Sequence, residues 1–122
     1  MDNLIAFSDL ELSFNSEAFV LKTQQQIAKD FAVIQQHFPE NFETEVYSKE
    51  QIESFLKEKI SYLIQHSEAQ FGQLLYTIDI PEKQFRSLTS SPDFVSKTAE
   101  VILRREAYKV FLRIKFSQKS EL

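Results

Sequence analysis

The chain has 122 residues, 43% hydrophobic and 26% charged, with a net charge of −4, the proportions of one domain that buries a core without covalent staples. It has no cysteine, which excludes disulfides, thiolate nucleophiles, iron–sulfur clusters and thiolate zinc sites. A single glycine removes the P-loop and the dinucleotide fingerprint, which need several, and no apolar run reaches the roughly 18 residues that span a bilayer.

The aromatic content is unusual in kind: twelve Phe and four Tyr, but no Trp. A phenylalanine-rich core accounts for this more simply than an aromatic ligand cage. Charge is unevenly spread. Residues 91–122 hold seven basic and four acidic side chains, net +3, whereas residues 1–90 hold seven and fourteen, net −7. The two parts are expected to face each other and neutralise.

Residues 1–14 carry Leu4, Ile5, Phe7, Leu10, Leu12 and Phe14 and are compatible with an extended arm, a first turn of helix or a segment lying across the bundle. The segment lacks a basic n-region, unlike a secretory signal; with the absence of cysteine this points to the cytoplasm. A helix is expected from about Ser16 to His37, with Val20, Ile27, Phe31, Ile34 and Phe38 on one face and Gln24, Gln25 and Gln26 in its middle. Pro39 and the polar run after it form a break. Ser48 caps a second helix with the stripe Ile52, Phe55, Leu56, Ile60, Leu63 and Ile64. That helix either breaks near His66–Ser67 or continues through Phe71, Leu74, Leu75 and Ile78. Asp79 with Glu82 three residues later reads as the cap of a short helix through Phe85 and Leu88.

The last element is the longest. Pro92–Phe116 keeps a helical rhythm throughout, with Ser91 as cap and Pro92 at the first position. Ala99, Leu103, Ala107, Val110, Phe111 and Ile114 make one apolar face. Phe94, Val101, Tyr108 and Leu112 make a second, roughly opposite. Arg104 and Lys115 flank one side; Arg105, Lys109 and Arg113 flank the other. A helix apolar on two faces either runs through the middle of its domain or docks its second face on a partner. Residues 117–122 are polar and read as a frayed tail.

These elements predict an all-α fold: one domain over residues 1–122, with four to five helices in a small bundle and a long C-terminal helix. The alternative is α+β, with 74–80 and 109–116 as paired strands, since LLYTIDI and KVFLRIKF both alternate. The scarcity of glycine and the lack of hairpin turn pairs favour helices.

No catalytic, cofactor or metal motif is present. The two histidines, His37 and His66, lack partners at metal-ligand spacing. No local motif places a serine beside either one. The chain therefore reads as a non-enzymatic interaction module, a homo-oligomer or the binder of a protein partner. Its candidate contact is Phe94, Val101, Tyr108 and Leu112. Nucleic-acid binding through the basic flank of Arg104, Arg105, Lys109, Arg113 and Lys115 is the alternative. The sequence pI near 5.2 disfavours it.

Overall fold

The structure, a computed structural model, describes residues 16–120, the side chains of 117–120 excepted. The candidate arm over 1–14 and the end of the expected tail lie outside the described residues. Five α-helices and one 3-10 turn make up the fold, and no strand occurs among the described residues. The bundle reading therefore holds. The strand alternative does not: 74–78 and 109–116 are both helical.

Helix α1 (Glu17–Ala32) starts where Ser16 accepts a hydrogen bond from the Phe19 amide at 3.3 Å, satisfying one of the four orphan donors of a helix start. It stops five residues short of His37. Gln35 turns left-handed at φ 59°, and the Gln36 amide donates back to the Phe31 carbonyl at 3.0 Å, a closure typical of helix C-termini. The reversal lets Phe38 fold over the chain it came from. Its ring meets Phe31 edge-on at 5.2 Å and stacks on Phe42 at 4.4 Å. Phe42 is buried in the 3-10 turn (Glu40–Glu43).

Helix α2 (Lys49–His66) opens with a capping box: Ser48 Oγ accepts from the Gln51 amide at 3.1 Å, and Gln51 Oε1 accepts from the Ser48 amide at 2.9 Å. Its expected stripe is buried at Ile52, Leu56, Ile60 and Leu63. Ser67, with a non-helical backbone, ends α2 and caps α3 (Glu68–Ile78) through its bond from the Gln70 amide. One serine thus settles the choice between a break and a continuous helix.

Asp79 closes α3 instead of opening the next helix. It adopts φ 68°, and the Ile80 amide reaches back to the Leu75 carbonyl at 3.0 Å. Helix α4 (Glu82–Thr89) begins after Pro81 and has no fully buried residue. Helix α5 (Phe94–Ser120) starts two residues after Pro92, because 91–93 form a turn in which the Asp93 amide donates to Ser91 Oγ.

Over 27 residues α5 extends about 40 Å, and it packs against all four other helices. Ala99, Ile102 and Leu103 belong to the main core with Ile27, Phe31, Leu56 and Leu74. Ala107 and Val110 form a smaller cluster with Phe19, on which Phe111 and Ile114 pack. The C-terminal helix is the central column of the bundle. No described helix is long and apolar enough to cross a membrane.

Candidate functional site

The second apolar face of α5 divides into two halves. At its start, Phe94 packs against the rings of Phe71 and Phe85, with centroids 6.4 and 5.7 Å away. Val101 packs on the main core. From the middle of the helix onward, no core cluster of the described residues takes in this face. Tyr108 and Leu112 are half-buried and belong to neither core cluster. Phe116, one turn further on, is 59% exposed. Two of the four candidate contact residues are thus engaged inside the chain, and two lie on a stripe that opens toward the helix end.

The basic flank turns inward. Arg105 Nη2 lies 2.9 Å from Asp79 Oδ2, and its guanidinium sits 5.5 Å from the Tyr108 ring centroid. Lys109 Nζ donates to Asp30 Oδ2 at 2.8 Å and to the Thr77 carbonyl at 3.3 Å. Arg113 donates to Gln26 Oε1. Gln26 in turn donates to Asp30 Oδ1 at 3.1 Å. The Gln26–Arg113 and Asp30–Lys109 pairs are one turn apart on each helix and run in opposite directions, so α1 and α5 are antiparallel with a polar ladder along their seam. On the other flank, Arg104 lies 3.8 Å from Glu100 and Lys115 Nζ is 5.9 Å from the Phe111 ring centroid.

Beside this ladder sits a carboxyl group that charge counting alone overlooks. Glu106 is fully buried, with Oε1 3.3 Å from Lys109 Nζ but no hydrogen-bond geometry to either of its oxygens. Burial, reinforced by the neighbouring Asp30 carboxyl and opposed by Lys109, pushes its pKa up to about 9. Glu106 therefore carries its proton at neutral pH. In that form it avoids the repulsion that two neighbouring carboxylates would have. For Lys109, burial works against the charged form, yet the attraction of Asp30 and Glu106 outweighs it and the pKa is raised. The sequence held a signal for this site: Glu106 interrupts the buried series Ile102, Leu103, Ala107 and Val110, where an apolar residue belongs by helical spacing.

A second polar device was equally hidden. Gln24 is fully buried. Its Nε2 donates to the Phe42 and Glu45 carbonyls at 2.6 and 2.7 Å, and its Oε1 accepts from the Tyr47 amide at 2.9 Å. One side chain of α1 thus pins the whole connection to α2.

No group of three or more His, Cys, Asp or Glu side chains among the described residues is placed to hold a metal ion. His66 stacks on Tyr62 at 4.3 Å, with Nδ1 2.9 Å from the Tyr62 carbonyl. Comparison with protein families, with curated proteins and with solved structures finds no match to this chain.

Proposed function

We propose that the chain is a non-enzymatic helical interaction module, cytoplasmic in setting, that self-associates through the C-terminal half of α5. Tyr108 and Leu112 form the contact and Arg105 borders it. The observation that carries this reading is the split second face: Phe94 and Val101 pack on the main core, whereas Tyr108 and Leu112 are half-buried and join no core cluster of the described residues. A second copy laid against the same stripe covers both copies at once, the self-complementary arrangement of a two-fold dimer. The internal pairing of Arg105, Lys109 and Arg113 favours this reading over nucleic-acid binding, since groups already holding partners are less available to phosphates.

Sedimentation equilibrium tests the proposal. The protein is expected to be a dimer, and Tyr108→Glu with Leu112→Glu is expected to give a helical, cooperatively unfolding monomer. A wild-type chain that stays monomeric at every concentration overturns it, as does a double variant that no longer folds, which puts both residues in the monomer's core. Retardation of nucleic acid at low ionic strength, lost steeply with salt, would favour the basic-flank reading instead.

A further inference from the structure

An open groove of about 320 Å³ lies between α2, α3, α4 and the start of α5, at the opposite end of α5 from Leu112. One wall is a triangle of rings. Phe71 and Phe85 meet at 5.7 Å and 62°, Phe85 and Phe94 at 5.7 Å and 69°, Phe71 and Phe94 at 6.4 Å and 77°. Ile64 and Leu75 add aliphatic surface. The volume sits at the small end of ligand sites, which are mainly apolar with a few placed polar groups.

Gly72 is the residue that the fold alone does not explain. It lies inside α3, where glycine costs about 1 kcal/mol against alanine. Its φ is not positive, and a Cβ placed on it meets nothing within 4 Å. Neither backbone conformation nor close packing calls for a glycine there; the space its missing side chain leaves belongs to the groove. Glu68, one turn earlier on α3, also lines the groove. It is exposed and makes no ion pair among the described residues. The remaining side is α4, which buries no residue fully and rests on the core through Phe85.

We infer that this groove binds a small organic cation with an aliphatic tail: the tail lies over Gly72 and the cationic head sits between the phenylalanine rings and the Glu68 carboxylate. Ring faces attract cations through their quadrupole, and the carboxylate sets the sign of the charge that is accepted. The inference does not depend on self-association, which uses the other half of α5.

The test is a heteronuclear NMR titration of the full chain with octyltrimethylammonium, octyl sulfate and 1-octanol. Octyltrimethylammonium is expected to shift the Gly72 amide and the Phe71, Phe85 and Phe94 ring signals saturably, and to bind about tenfold more tightly than either other probe. Glu68→Gln is expected to bring the cation and the anion to within about twofold of each other. Gly72→Leu fills the groove from a position with room for it, so it should keep the fold and abolish binding. Phe85→Ala, on the exposed roof helix, should weaken the cation about tenfold. Equal or tighter binding of octyl sulfate or octanol, unchanged binding by folded Gly72→Leu, or no saturable shift overturns the inference.

Discussion

Lys109 Nζ and Asp30 Oδ2, 79 positions apart in sequence, meet at 2.8 Å across the seam of α1 and α5. Asp30 is nearly buried there and Lys109 is 26% exposed. Removing the ammonium leaves the nearly buried Asp30 carboxylate, beside the protonated Glu106, without its counter-charge. Lys109→Met is therefore expected to lose about 3 kcal/mol in urea unfolding, and adding Asp30→Asn should recover part of that loss. A single-variant loss well below about 1 kcal/mol would mean that solvent already screens the pair.

Glu106 makes the fold sensitive to alkali. Its folded pKa of about 9 lies above the ordinary 4.5, so between those values the unfolded chain has released a proton that the folded chain keeps. Rising pH therefore draws the equilibrium toward the unfolded state, by at most about 1.4 kcal/mol per unit. Glu106→Gln removes this slope. The variant should gain on the wild type steadily from pH 5.5 to pH 8.5 in chemical denaturation, and parallel stability curves would show that Glu106 ionises normally. Lys109, with its pKa raised, contributes stability that persists through this window and is lost only at higher pH.

Gln24 holds three backbone groups that no helix or strand satisfies. Gln24→Leu has similar bulk but leaves all three buried or half-buried without partners, at an expected cost of about 3 kcal/mol. Hydrogen exchange should show the Tyr47 amide deprotected more than the amides of α2. Uniform deprotection would mean that the connection is held by its aromatic packing.

Asp79 combines a left-handed backbone with an exposed ion pair to Arg105. Asp79→Gly relieves the first and gives up the second. Since an exposed pair is worth at most about 1 kcal/mol, the melting temperature should barely move. Asp79→Ala gives up the pair without the relief and should cost about 1 kcal/mol. Equal melting temperatures for the two variants would remove backbone conformation as the reason.

Much of the architecture was legible because it rests on local rules. The stripe Ile52, Leu56, Ile60, Leu63 and the cap at Ser48 are decided within a few residues, as is the helical rhythm of α5. What sequence alone misplaced depends on distant neighbours. Gln35 ends α1 early because the chain must turn for Phe38 to reach Phe31 and Phe42. Asp79 serves the helix before it because the turn that closes α3 sets its conformation. Gln24, Gln25 and Gln26 read as a short polar run, yet Gln24 and Gln25 hold the following connection and Gln26 holds Asp30 and Arg113. At the candidate contact, helical spacing groups Phe94 with Tyr108 and Leu112 on one face. Contacts with Phe71 of α3 and Phe85 of α4 set Phe94 apart from Tyr108 and Leu112.

The placement of the central column also orders events during synthesis. Translation delivers the chain from its N-terminal end, so α1 to α4 leave the ribosome before the helix that touches all of them. Until Ala99 to Val110 have emerged, Ile27, Phe31, Leu56 and Leu74 have no fourth wall. A nascent chain in that state displays the sticky surface that chaperones hold. Stop codons placed upstream of Ala107 should yield proteolysed fragments instead of a smaller bundle.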